Sequence, residues 1–285
     1  MFLFIHPAIY GKQRPFFKTF HSQHNPGKND RQERDIVKKE PVDISVILPT
    51  YNERNNIGPL IEAIFANSGD KTEIIVVDDD SPDGTWREVE HLAENHPDLH
   101  LLRRIDKRGL VSALNDGIAA AKGDIIVWMD CDLSMPPEKI KELLSCLNRG
   151  ADVAVGSRFV KGGGVEIISG SGDTLTAFLM SNLLNIFTRT VLSPSFGDYT
   201  SGFIALKKKV LEGIVLKGDY GEYFIDLIYR TIKRGFTVRE IPYVCRARRE
   251  GVSKTGTNIF HYLRKGLKYI WLTLRLRFSK IKKKA

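Results

Sequence analysis

Residues 124–132 read DIIVWMDCD, an apolar run of strand-forming side chains that ends in two carboxylates one position apart. The same design occurs twice upstream. VDISVIL (42–48) gives way to Pro49-Thr50-Tyr51-Asn52-Glu53, and TEIIVV (72–77) gives way to Asp78-Asp79-Asp80. Short, almost continuously apolar runs of this kind predict strands of a mostly parallel sheet covered on both faces. Helical periodicity over about 56–67, 84–95, 109–121 and 137–147 separates these runs from each other and from LHLLR (99–103) and DVAVGS (152–157). Strands alternating with helices of this length predict βαβ units, whose ligands bind in the crevice outside the carboxyl ends of the strands.

The polar residues fall at that edge. Asp130 and Asp132, where the chain turns out of its strand, can converge on one hard divalent cation such as Mg²⁺ or Mn²⁺, which prefers oxygen ligands and keeps positions open for phosphates. Three successive acids at 78–80 repel one another, a cost that a purely structural turn has no reason to bear. They point to a ligand offering donor groups or to a nearby cation. Tyr51 offers a ring for stacking on a base. No GxGxxG and no GxxxxGK[ST] follows the first strand, so neither glycine-rich phosphate cradle is available. Neutralising phosphates then falls to a metal held by Asp130 and Asp132.

Downstream, the Gly- and Ser-rich segment GGGVEIISGSG (162–172) predicts a flexible loop. It precedes a charge-free helical pattern, TLTAFLMSNLLNIFT (174–188), which suits either a lipid-facing surface or a buried helix. A strand at 201–207, a helix near 221–234 and a strand at 237–243 complete the pattern.

The chain has 285 residues, 42% hydrophobic and 27% charged, as globular domains have. Its net charge of +9 is unevenly spread: +4 over residues 1–40, +12 over 246–285 and −7 between them. An acidic middle disfavours a nucleic-acid groove, whereas a basic tail suits an anionic membrane surface. From Ile259, the residues Phe260, Leu263, Leu267, Ile270, Trp271, Leu274 and Phe278 recur at helical spacing, with Arg264, Lys265, Lys268 and Arg275 to one side. This predicts a basic amphipathic helix lying in the headgroup region, the alternative being a helix docked on the core. No apolar run is long enough to span a bilayer. Cys131, Cys146 and Cys245 are too widely spaced for a disulfide framework or a metal knuckle. The expected organisation is a mobile extension over 1–40, a catalytic domain over 41–256 and the membrane-associating helix with its Lys tail over 257–285.

Six blocks stand in order: ISVILPTYNERNNI, IIVVDDDSPDGTW, the GL…AKGDIIVWMDCDLS stretch, VAVGSRFVKGGG, DYTSGF and REIPY…R..GVSK. Together, over about 42–256, they resemble family 2 glycosyltransferases, and among those the dolichyl- or polyprenyl-phosphate mannosyltransferases. The resemblance implies a GT-A fold, a Rossmann-like mixed sheet flanked by helices. It implies a nucleotide sugar as donor, GDP-mannose for the mannosyl branch, and a lipid monophosphate as acceptor that attacks the anomeric carbon with inversion. Pro49, Tyr51 and Glu53 match the loop framing the nucleotide, Asp78 and Asp79 the acids touching its base or ribose, and Asp130, Cys131 and Asp132 the metal-binding turn under the diphosphate. Arg158, Arg248 and Lys254 match positions that bind the acceptor phosphate.

The chain departs from the pattern in two places. Ser134 stands where many relatives carry Gln, and Gly172 and Thr176 stand where an acceptor-loop Arg and Ser would be. No basic residue occurs between Lys161 and Arg189. The implied setting is peripheral, at the cytosolic face of a membrane, with or without a small anchoring subunit. A UDP-sugar donor such as UDP-glucose is the nearest alternative. A non-catalytic nucleotide-sugar- or membrane-binding subunit is the alternative outside the enzyme class, although it would have no use for the clustered acids.

Overall fold

In the computed structural model, residues 42–166, 172–247 and 259–281 are described, without the side chains of 172–178 and 259–265. The predicted alternation is present: β1 (Ile44–Thr50), α1 (Arg54–Ser68), β2 (Thr72–Asp78), α2 (Thr85–Ala93), β3 (Leu99–Arg103), α3 (Leu110–Ala120), β4 (Ile125–Trp128), α4 (Ile140–Asn148) and β5 (Val153–Ser157). The second half adds β6 (Gly164–Val165), α5 (Gly172–Val191), β7 (Ile204–Lys207), α6 (Glu222–Lys233), β8 (Val238–Pro242), β9 (Val244–Cys245) and α7 (Ile259–Arg277).

Seven strands form one sheet in the order β3-β2-β1-β4-β7-β5-β8. All neighbours are parallel except β7, which runs antiparallel to both β4 and β5. The sheet is therefore mixed. Its strands alternate between two cores. Ile47, Ile75, Val77, Ile126 and Trp128 face α3, α6 and α7, while Val46, Leu48, Ile74, Val76 and Val127 face α1, α2 and α4. Burying each such side chain contributes roughly 1.5–3 kcal/mol, which is why β1, β2 and β4 are apolar on both faces. Gly117 lets α3 settle on the sheet, since a Cβ there would lie 2.5 Å from Ile47 Cγ2 and 3.1 Å from Val77 Cγ2.

The chain reverses direction across the sheet at β1, which pairs with β2 on one side and β4 on the other. Ile47 is level with Trp128, so the turns after β1 and β4 emerge side by side. That is the switch point at which open α/β sheets bind ligands.

One expectation is corrected here. Within the Gly-rich segment, two residues are not loop: Gly164 and Val165 pair in parallel with Val244 and Cys245 to form a second, two-stranded sheet. The segment's apolar Val165 and the apolar Tyr243-Val244-Cys245 beyond β8 carried this signal, outweighed by the glycines in a reading of local composition. The rest of that segment, from 167, lies outside the described residues.

Candidate active site

A cavity of about 720 Å³ opens at the switch point. Pro49, Thr50, Tyr51 and Glu53 come to it from the β1 turn, and Asp130, Cys131 and Asp132 from the β4 turn. Asp79, the residues from Arg108 to Ala113 and the stretch 218–220 complete its wall.

The β4 turn is built to present its acids. Ser134 N donates to Asp132 Oδ1 at 3.1 Å and Asp130 N to Met135 Sδ at 3.4 Å, while Leu133 adopts a left-handed φ of 61°. A residue with a branched side chain rarely takes that conformation, so the turn stores some backbone strain. Asp132 is buried and Asp130 is exposed, so the pair spans from the floor of the cavity toward solvent. Beneath them, Trp128 Nε1 donates to Tyr223 Oη at 3.1 Å. Burial pushes the Tyr223 phenol far up, and the charge of Asp130 pushes it further, so it stays neutral. The Cys131 thiol is buried between the two acids and donates to Pro49 O at 3.5 Å, tying the two turns together.

The donor set suits a hard cation. Among the described residues no group of three or more His, Cys, Asp or Glu side chains could hold a metal. Asp130 and Asp132 would supply two oxygen ligands and leave the others to phosphate oxygens and water, as Mg²⁺ and Mn²⁺ accept.

The acids of the β2 turn are handled differently from expectation. Asp78 is fully buried, and its carboxylate accepts Thr50 Oγ1 at 2.9 Å, Ser81 N at 2.8 Å and Ser81 Oγ at 2.6 Å. It does not reach the cavity wall, and it braces the turn. Asp79 does reach the wall, where Gly109 N donates to Oδ2 at 2.8 Å and Arg104 Nε to Oδ1 at 2.7 Å. Asp80 turns outward to Arg103 Nε at 2.7 Å, and that guanidinium lies 3.6 Å over the Trp86 ring. The repulsion among the three acids is thus relieved by two arginines at the end of β3 and by turn donors, without calling on a ligand. The clustered acids themselves were the available signal, since they demand cations and Arg103 and Arg104 are the nearest in strand order.

Arg104 is the main residue that the sequence reading missed. It is nearly inaccessible and also donates to Ser112 Oγ at 2.9 Å, Asp116 Oδ2 at 3.1 Å and Gly109 O at 3.1 Å, joining the β2 turn to the start of α3. Partial burial raises the Asp116 carboxyl, but Lys107 and Arg104 more than reverse this and hold it below the ordinary range. Arg108 was missed as well. It lies 4.7 Å over the Tyr51 ring at the cavity mouth, a cation–π contact.

Arg158 is paired within the protein. Its Nε donates to Asp198 Oδ2 at 2.9 Å and its Nη2 to Asp198 Oδ1 at 2.8 Å and Thr200 Oγ1 at 2.8 Å. Asp198 is fully buried, and a buried carboxylate takes the bidentate partner that its sheet edge offers. Burial would lower the Arg158 pKa, but Asp198 raises it further, so the guanidinium stays charged. The fork is engaged within the protein and does not line the cavity. It still lies near the site: the Cys245 thiol of β9, pushed up by burial, feels Arg158 on one hand and Asp132 and Asp130 on the other. Arg248 and Lys254 lie outside the described residues.

With this geometry, residues 45–215 match the sequence profile described as Glycosyl transferase family 2. The chain belongs to that family. It is 38% identical over 231 residues to a dolichol-phosphate mannosyltransferase of Pyrococcus furiosus, an alignment covering 78% of this chain and 62% of that protein. It is 39% identical over 222 residues to a polyprenol monophosphomannose synthase of Mycolicibacterium smegmatis, covering 75% and 82%. A dolichol-phosphate mannosyltransferase of Saccharomyces cerevisiae is 33% identical over 233 residues, covering 78% and 85%. The chain thus spans less than two thirds of its archaeal relative and most of the other two.

Among solved structures, glucosyl-3-phosphoglycerate synthase from Mycobacterium tuberculosis, in complex with Mn²⁺, uridine-diphosphate and glucosyl-3-phosphoglycerate, superposes with a TM-score of 0.62 at 21% identity, covering 84% of this chain and 81% of that one. A mannosyltransferase from Pyrobaculum calidifontis in complex with GDP-Man and Mn²⁺ gives 0.53 at 22% identity, covering 83% and 70%. These likenesses are of fold, and they bear out the GT-A architecture that the six blocks implied for this family 2 glycosyltransferase.

Proposed function

We propose that this glycosyltransferase transfers mannose from GDP-mannose to a dolichyl or other polyprenyl phosphate. The observation that carries the reading is the cavity itself: a stacking ring at its mouth and two carboxylates at the far turn, in a chain 33–39% identical to enzymes named for that transfer. The nucleotide lies along the Pro49–Glu53 turn with its base at Tyr51 and Arg108, while Asp79 addresses the ribose and Asp78 supports the turn from below. The diphosphate lies over Asp130 and Asp132. A divalent cation bound by these two acids supplies charge neutralisation for the departing diphosphate.

The chain needs no strong base. A phosphate monoester is largely ionised near neutral pH, so its oxygen attacks the anomeric carbon directly. A C–O bond forms on one face as the C–O bond to the diphosphate breaks on the other, and its electron pair leaves with GDP. The protein's part is alignment. Arg248 and Lys254 keep the acceptor-phosphate role that the resemblance implies. Arg158, clamped by Asp198, contributes fixed positive charge beside the site.

Two helices suit the lipid side. Leu179, Met180, Leu183 and Ile186 of α5 are exposed, as are Leu267, Ile270, Trp271 and Leu274 of α7 with Phe278 just beyond it. On α7 these apolar residues form one stripe about 100° wide, with Lys268 and Arg275 on one flank and Arg277 on the other. Among the described residues no helix is long and apolar enough to cross a membrane. We infer peripheral attachment at the cytosolic face, through this stripe and anionic headgroups.

The test is transfer of label from GDP-mannose, UDP-glucose and UDP-N-acetylglucosamine to polyprenyl phosphate with Mn²⁺, with and without chelator. Chelator-sensitive labelling of the lipid from GDP-mannose, abolished in a folded Asp132→Ala variant, is the expected result. Labelling from a UDP-sugar instead would overturn the donor. No labelling by a protein that binds nucleotide would overturn the acceptor.

A further inference from the structure

One stretch of the cavity wall belongs to neither strand turn. Residues 216–221, ahead of α6, bring Gly218, Asp219 and Tyr220 to the cavity. Three helices hold this stretch. From α3, Asn115 Nδ2 donates to Leu216 O at 2.9 Å, and its Oδ1 accepts Leu216 N at 3.1 Å, as a neighbouring strand would. From α6, the Glu222 carboxylate accepts Asp219 N at 2.9 Å and Tyr220 N at 3.1 Å. Gly218 is required there, with φ 127° and Glu222 Cγ only 2.9 Å from where its Cβ would be.

The third support comes from α7. Lys268 Nζ pairs with Asp219 Oδ2 at 2.5 Å. Tyr269 presses its hydroxyl against Gly221, where a Cβ would lie 2.8 Å from Oη, and it takes a hydrogen bond from the Gly221 backbone. α7 is anchored in turn, because Thr273 and Leu276 are buried and Leu272 and Ile281 pack on the α3/α6 side of the core. The helix read as a membrane element therefore also touches the wall of the proposed nucleotide site.

We propose that α7 is part of that site, with Lys268 and Tyr269 as positioning residues that fix the 216–221 wall for the nucleotide. The proposal rests on the cavity being a nucleotide-sugar site. Without the two contacts, Asp219 and Tyr220 must be ordered when ligand binds, and immobilising one or two side chains costs about three- to tenfold in affinity. The loss appears as a higher donor KM at unchanged kcat, because the contacts serve ground state and transition state alike.

The experiment is calorimetric titration of Mn²⁺ with GDP into the full-length protein, its Lys268→Gln and Tyr269→Phe variants, and the two combined. The expected result is a Kd for GDP raised three- to tenfold in the combined variant, with an unchanged melting midpoint, and recovery in Lys268→Arg, which keeps the pair with Asp219. Asp219→Asn and Lys268→Gln should be non-additive, since they remove the two ends of one contact. A purely structural role would instead lower the melting midpoint and kcat while leaving Kd alone, and that result overturns the proposal. Equal Kd in wild type and all variants overturns it too, and leaves the nucleotide site standing. A wild-type protein that binds neither GDP nor UDP overturns the nucleotide reading itself.

Discussion

Arg104 is the most consequential side chain that the sequence reading did not single out, and its replacement by methionine has a calculable cost. Its side chain is 3% exposed, against 9% for Asp79 and 32% for Asp116. Two charges about 4 Å apart at an effective dielectric of about 20 attract by ~4 kcal/mol, and the desolvation of both ions offsets part of that. Methionine fills much of the volume but removes every guanidinium donor, leaving the buried Asp79 carboxylate with the hydrogen bond from Gly109 N. Breaking a buried pair from one side costs about 3–5 kcal/mol, because the surviving charge is uncompensated. For a chain of this size, about 2–4 °C of melting midpoint per kcal/mol translates this into a fall of roughly 6–20 °C. The assay is thermal and urea unfolding of wild type, Arg104→Met, Asp79→Asn and the double variant. Asparagine removes the stranded charge, so the double variant should regain roughly 1–3 kcal/mol over Arg104→Met alone. GDP affinity should fall in Arg104→Met, since an unpaired carboxylate on the wall repels an anionic ligand. A loss below about 1 kcal/mol, or an Asp79→Asn change that worsens Arg104→Met, would refute the claim that Arg104 relieves the acidic turn.

Three further outcomes follow from the packing and the charges. Burial raises the Glu73 pKa, but hydrogen bonds from Ser45 Oγ and Lys122 N and the charges of Lys122 and His100 leave it below its ordinary 4.5. A depressed carboxylate contributes stability that is present above its unfolded pKa and lost as pH falls through the folded one; Glu73→Gln should therefore flatten the decline in unfolding free energy below about pH 4.5, and an unchanged acid limb would count against it. Gly117→Ala drives a methyl into Ile47 and Val77 and should destabilise by about 1–3 kcal/mol in urea titrations, against the slight gain expected of Gly→Ala in an open helix. Leu267→Glu with Trp271→Glu removes two apolar anchors worth roughly 1.5–3 kcal/mol each, so partition onto phosphatidylserine-containing vesicles should fall at least tenfold in flotation assays.

Much of this architecture can be read locally because the strands answer to one rule. β1, β2 and β4 are apolar on both faces because both faces are covered, and the first polar residue after each marks the edge where ligands bind. The position of Asp130 and Asp132 at that edge was legible for that reason. Asp78 and Asp79 were not separable, because adjacent residues leaving a strand point in opposite directions and only the register with Thr50 decides which one braces the turn and which reaches the cavity. The pairing of Arg158 with Asp198 was not legible, because the two lie 40 positions apart, across the crossover that brings β7 between β4 and β5. No local pattern announces an antiparallel strand inserted into a parallel sheet.

α7 shows the same limit in another form. Its periodicity offered a choice between a stripe for lipid and a stripe for the core, and the helix carries both. Leu267, Ile270, Trp271 and Leu274 point outward, while Tyr269, Leu272, Thr273 and Leu276 occupy the opposite arc and dock. Lys268 and Arg275 on one side and Arg277 on the other separate the two arcs, and spacing alone does not say which of them meets the core. The docked arc gives the exposed one its interest. A helix that rests on lipid with one face and steadies Asp219 and Tyr220 with the other joins two binding events through one rigid element. If the membrane changes how firmly that wall is held, linkage requires nucleotide to change vesicle affinity by the same factor. Vesicle partition measured with and without Mn²⁺ and GDP, in wild type and in the combined Lys268→Gln, Tyr269→Phe variant, puts this to the test: a nucleotide-dependent change present in wild type and absent from the variant assigns the coupling to these two side chains, and an equal change in both removes them from it.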